Sequence, residues 1–110
     1  MGRESLDLMQ GTLDVLVLRA LSQGPLHGYA VSSWVHARTD GALRIEDAPL
    51  YKALHRLEHA GCVEAEWGLS ENNRRARFYN LTPKGRRRLR DDAEAWRRYA
   101  RTVASLLDPS

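Results

Sequence analysis

The stretch HRLEH, His55 to His59, sets two histidines four residues apart with a glutamate between them. On a helix both rings face the same way, so the spacing could hold zinc with Glu58 as a base. Catalytic zinc takes three protein ligands and leaves a fourth position for water or substrate. No third-ligand motif follows in this chain of 110 residues. The match therefore reads as a coincidence of a charged helix, and neither a metal nor another cofactor is expected. Cys62 is the single cysteine and has no histidine near it in sequence, which suits a small core residue. His27 and His36 stand alone, and no glycine-rich phosphate loop or G-x-S-x-G elbow occurs. The chain does not read as an enzyme.

A second stretch points to binding. SENNRRARFYNLTPKGRRR, from Ser70 to Arg88, holds seven arginines and lysines, with Asn72 and Asn73 just before the first arginine pair. The formal net charge is +3, the isoelectric point is near 9.4, and arginine far outnumbers lysine. Arginine presents a planar fork that fits phosphate and guanine, so a nucleic acid is the partner this composition suggests. Lys52, His55, Arg56 and His59 fall on one side of a helical pattern, opposite Leu50, Ala53, Leu54, Leu57 and Ala60. A helix so divided can pack by one face and present a basic strip to a major groove about 12 Å wide. Tyr51 at the helix start and the arginines Arg74 and Arg75 would then reach phosphate. Lys84, beside Gly85 and Arg86 in the first turn of a helix, combines side-chain charge with free backbone N–H groups, a second phosphate candidate.

The elements that must position these groups follow from periodicity. Leu6, Met9, Leu13, Leu16, Val17, Ala20 and Leu21 recur every three or four residues and predict a first helix, stopped by Gly24 and Pro25. Val31, Trp34 and Val35 predict a second helix, which fades into a turn-rich link where ALRI could pair as a short strand. Asp47 is expected to cap the third helix, with Pro49 in its first turn and Gly61 at its end. Val63, Ala65, Trp67 and Leu69 alternate with polar residues and predict a half-buried strand. SENNRR is a turn, and ARFYNL returns as a second strand in which Phe78 and Tyr79 both compete for the inward face. Thr82 caps a last helix with Pro83 at its first position, running to about Leu107. The order helix, helix, strand, helix, strand, strand, helix is mainly α with a small β-hairpin. It describes a winged helix-turn-helix over residues 1–81 and a long C-terminal dimerisation helix over 82–110, together one compact unit.

In the last helix Leu89, Ala93, Trp96, Ala100, Val103 and Leu107 keep a heptad spacing. A helix of 25 residues reaches about 37 Å, longer than so small a domain needs for its own core. The seam predicts a homodimer through the first and last helices. Trp96 either fills that seam or flanks a gap between protomers that takes a flat apolar ligand. Arg90 and Glu94 are set to pair at i,i+4. The apolar run LDVLVLRAL is too short and too charged to span a bilayer, and neither a leader pattern nor a disulfide pair is present. A cytoplasmic chain without membrane contact is the expectation.

GTLDVLVLRAL, GPLHGYAV, LYKALHRLEHAG, VEAEWGLSENNRRARFYNLTPKGRR and EAWRRYA together resemble the PadR-like family of bacterial transcriptional regulators, in its short branch with a single C-terminal helix. The resemblance covers nearly the whole chain, and SENNRRARFYNLTPKG is its most specific part. It implies a homodimeric winged-helix repressor whose third helix and wing hold double-stranded operator DNA. It points to Tyr51 and its neighbours, and to Asn72, Asn73, Arg74 and Arg75, for DNA contact. It also implies a small aromatic effector, with Trp96 at the interface site. Such proteins typically read GTLYPAL where this chain has APLYKAL, so Lys52 stands in place of proline and Pro49 in place of threonine. A winged-helix module that binds a protein partner uses the same surfaces and is the alternative reading.

Overall fold

The computed structural model describes residues 11–109. Their elements run α1 (Thr12–Leu21), β1 (Leu26–His27), α2 (Gly28–Arg38), α3 (Asp47–His59), β2 (Val63–Leu69), β3 (Arg75–Leu81) and α4 (Pro83–Leu107). The fold is mainly helical with one small antiparallel sheet, the winged helix-turn-helix expected from the sequence. Leu6 and Met9, the first residues of the expected α1 stripe, lie outside the described residues.

The short third strand is not ALRI. Residues 42–45 form a coil, and Leu26–His27 takes the place beside the hairpin, pairing Leu26 with Tyr79 and His27 with Phe78. Sheet order is therefore β1-β3-β2. Ile45 is buried instead, and its carbonyl accepts a hydrogen bond from the Ser32 hydroxyl at 3.3 Å, which uses the backbone that a strand would have used.

The core forms where the apolar faces of α1, α2 and α3 meet the foot of the hairpin. Val17, Leu18, Leu21, Val31, Val35, Leu50, Leu54 and Leu57 are almost fully buried, joined by Cys62, Val63, Tyr79 and Leu81. Tyr79, not Phe78, takes the inward place. Residues paired across the hairpin share a face, so Val63, Ala65, Trp67 and Leu69 lie with Leu81, Tyr79, Arg77 and Arg75 on the side toward α3. The other side carries Glu64, Glu66, Gly68, Phe78 and Asn80. The expected burial of the first strand fails at its far end: Trp67 is 60% exposed and Leu69 is 62% exposed. The alternation is intact, but from Trp67 onward the hairpin outruns the core.

Two helix starts set the geometry of the site. Glu46 occupies the N-cap of α3 and makes no side-chain cap bond, while Asp47 is already the first helical residue. Asp47 thus lies inside the first turn and favours the helix dipole there rather than capping it. Thr82 does cap α4 as expected. Its hydroxyl accepts from the Gly85 N–H at 3.0 Å and donates to the Gly61 carbonyl at 2.6 Å, tying the end of α3 to the start of α4.

Candidate nucleic-acid interface

The wing tip closes at Ser70, whose carbonyl accepts from the Asn73 N–H at 2.8 Å and whose N–H donates to the Arg74 carbonyl at 2.9 Å. Asn73 has φ +61°, a left-handed conformation that asparagine tolerates better than most residues. Asn72, Asn73, Arg74 and Arg75 are all exposed at this tip. Arg75 lies with its guanidinium carbon 4.8 Å from the centre of the Trp67 ring, which explains the exposed tryptophan: its face supports an arginine.

Between the wing and α3 lies an open concavity of about 770 Å³. Tyr51 and His55 of α3 line one wall, Asn72, Arg74 and Arg75 the other, and Tyr29 of α2 the end. Five of the nine residues singled out for DNA contact thus meet in one groove. Asn73 belongs to the same tip. Lys52 is exposed on the outward strip of α3 with His55 and His59. Arg56 and Lys84 lie elsewhere. Arg56 sits at the flank of the strip and donates to Asp14 Oδ1 of α1 at 2.6 Å. Lys84 packs beside Gly61, at the foot of the hairpin and the far end of α3 from Tyr51.

Tyr51 is placed by a close approach that no side chain on its partner would permit. A Cβ on Gly28, the first residue of α2, would run into the Tyr51 hydroxyl and ring. Burial pushes the Tyr51 phenol above its ordinary value, and Tyr79 and the Asp47 carboxylate act in the same direction. The hydroxyl therefore keeps its proton and remains a donor toward an anion.

His27 has a role that its isolation in sequence concealed. Its Nδ1 accepts from the Ala30 N–H at 3.1 Å and so caps α2. An accepting Nδ1 leaves Nε2 as the protonated nitrogen of the neutral ring, and Nε2 lies 3.6 Å from Glu71 on the wing. The Glu71 carboxyl is held below its ordinary range, first by its own backbone N–H and then by His27. His27 and Gly28 thus position the groove from the side of α2. The signal that could have found them is HGY directly after a Gly-Pro stop, where a capping residue and a helix start are due.

Glu58 accepts from Arg77 Nη2 of β3 at 3.0 Å, and among the described residues no group of three His, Cys, Asp or Glu side chains is placed to hold a metal ion. No helix among them is long and apolar enough to cross a membrane.

Trp96 of α4 is half-exposed and its indole N–H donates to the Thr12 hydroxyl of α1 at 3.1 Å. Beyond it Tyr99, Leu106 and Leu107 are exposed along the same stripe. Arg90 does not pair with Glu94: the i,i+4 pairs of this helix are Arg88 with Asp92 at 3.0 Å and Arg98 with Glu94 at 4.0 Å, and Glu94 also meets Arg97 at 3.5 Å.

Comparison with known proteins bears on this geometry. The sequence profile of the transcriptional regulator PadR-like family matches residues 17–91. A transcriptional regulator from Clostridium thermocellum is 27% identical and superposes with a TM-score of 0.81, covering 90% of this chain and 96% of that one. A PadR family transcriptional regulator from Eggerthella lenta is 32% identical, with a TM-score of 0.73 and coverage of 92% and 86%. A curated relative from Lysinibacillus sphaericus is 29% identical over 90 residues, 82% of this chain and 83% of its own.

Proposed function

The chain belongs to the PadR-like family of transcriptional regulators, and we propose that it is a homodimeric repressor that holds double-stranded operator DNA in the groove between α3 and the wing. The observation that carries this reading is the meeting of Tyr51 and His55 with Asn72, Arg74 and Arg75 around one open concavity. In that reading α3 enters the major groove with Lys52, His55 and His59 toward the base edges, and the wing arginines and the Tyr51 hydroxyl take phosphates. Lys84, far from the groove residues, is reserved for a phosphate on the neighbouring strand. The chain works as a binder and not as an enzyme, in the cytoplasm with the DNA.

The stripe of Tyr99, Val103, Leu106 and Leu107 beyond the domain supports the dimer. An apolar stripe on a charged helix needs a partner, and a second copy offers the same stripe. Two protomers would set their reading helices about 34 Å apart, one turn of duplex. Trp96, at the root of that stripe, is where a flat aromatic effector would alter the spacing of the two heads and release the operator.

The test is binding to the DNA upstream of the chain's own gene across a salt series, with stoichiometry measured by light scattering. Two chains per duplex are expected, with log K falling by about 0.9 per log unit of salt for each phosphate neutralised. A chain that ignores duplex at low salt would instead be a protein-binding module. Gly28→Ala probes the Tyr51 seat separately. The added methyl displaces the far end of one flexible side chain, so the unfolding midpoint should hardly move. DNA affinity should fall about tenfold, some 1.4 kcal/mol, and an unchanged affinity would remove Tyr51 from the interface.

A further inference from the structure

Asp14 is the one charged side chain that is buried among the described residues. Its two oxygens are divided between two helices. Oδ1 accepts from Arg56 Nη2 of α3 at 2.6 Å, and Oδ2 accepts from Arg88 Nη2 of α4 at 3.2 Å. Arg88 is held in turn by Asp92, through its Nε at 3.0 Å. The four charges cancel, and each carboxylate has a guanidinium.

Arg56 is the only arginine of α3, the helix proposed to enter the groove. Periodicity places it near the basic strip, yet one nitrogen of its fork, Nη2, is bonded back to α1, although the side chain stays 57% exposed. A bond to a nearly dry carboxylate outweighs a phosphate contact made in screened water, because releasing it would leave Asp14 buried with a single partner. We infer that Asp14 is a positioning residue that withholds Arg56 from DNA, so that Lys52, His55 and His59 read the groove without an arginine that would grip any duplex. This rests on the DNA-binding reading above and deepens it. Withholding a cation trades general affinity for discrimination, because charge on phosphate carries no sequence information.

The experiment measures binding of the wild-type chain, Asp14→Asn and Arg56→Gln to a mixed-sequence duplex and to the upstream DNA, over a salt series. Asp14→Asn should free Arg56: per bound chain, affinity for the mixed duplex rises about fivefold and the salt slope steepens by about 0.9. The ratio of upstream to mixed-sequence affinity should fall. Arg56→Gln should leave both affinities within about twofold of wild type and the slope unchanged. Both variants are melted first, and if Asp14→Asn fails to fold, Arg56→Gln decides from its folded fraction at a temperature below its own midpoint. A loss of about tenfold in Arg56→Gln with a shallower slope would mean that Asp14 aims Arg56 at phosphate, and the inference would be overturned. Weaker binding by a folded Asp14→Asn would overturn it equally. A wild-type chain that binds neither duplex would instead sink the DNA reading, and this inference with it.

Discussion

Replacing Gly85 with alanine should lower the thermal midpoint by on the order of 15 °C, about 3 kcal/mol in a domain of this size. Helix propensity alone argues the other way, since alanine gains about 1 kcal/mol over glycine in a helix interior. The contact decides the sign. Gly85 is buried in the first turn of α4, and a Cβ there would be driven into the Cys62 carbonyl oxygen, with the Leu81 side chain at 3.2 Å behind it. That carbonyl already accepts the Thr82 N–H at 3.1 Å, so it cannot retreat without opening the foot of the hairpin. The Gly85 N–H is the one that the Thr82 hydroxyl caps, and shifting α4 would cost that bond as well. Melting followed by circular dichroism reads the result. A midpoint equal to or above wild type would mean that α4 can slide on its seat, contrary to the close approach seen here.

Removing both wing arginines, Arg74→Ala with Arg75→Ala, should do to binding what Gly85→Ala does to folding. Each arginine that neutralises a phosphate contributes about 0.9 to the salt slope, so the double variant should lose about 1.8 for each bound chain. At physiological salt that is roughly a thirtyfold loss of affinity per chain. Stability should fall by no more than about 1 kcal/mol, because both side chains are exposed and the wing turn is closed by backbone bonds at Ser70. The part that Arg75 gives up is its seat on Trp67, a surface contact of about 0.5–1 kcal/mol. Affinity that falls without a change in slope would show that the wing orients the protein rather than gripping phosphate. An unchanged affinity would take the wing out of the interface.

Much of this fold is legible in the sequence, and the unreadable parts share a cause. The stripe Leu50, Leu54 and Leu57 predicts the buried face of α3, and Thr82 with Pro83 marks the start of α4, because both signals are local. The two-residue strand Leu26–His27 has no periodicity of its own and exists through its register with β3. Trp67 and Leu69 keep a perfect alternation, but alternation cannot say where the core beneath a strand ends. Arg56 shows the limit most clearly. A helical projection gives the angle of its side chain, and its partner Asp14 lies 42 positions away in sequence. Asp14 itself looked like an interruption of an apolar run, when it is the counter-ion for two other helices. The groove was half visible in the same way: Tyr51 and the wing arginines announce themselves by type, whereas Gly28 matters only because of what approaches it.

The pairing register of the hairpin gives it two electrically unlike sides. Toward α3 it carries Arg75 and Arg77, and away from α3 it carries Glu64 and Glu66 with no cation opposite them in the register. A flat ribbon of two strands could otherwise lie on a polyanion by either side. On the proposed reading, a duplex drifting in from behind would meet repulsion from the two glutamates, and one from the front would meet Arg75, since Arg77 is already paired with Glu58. In the complex proposed above, the wing would act as a directional blade, sorting DNA by side before α3 meets a single base.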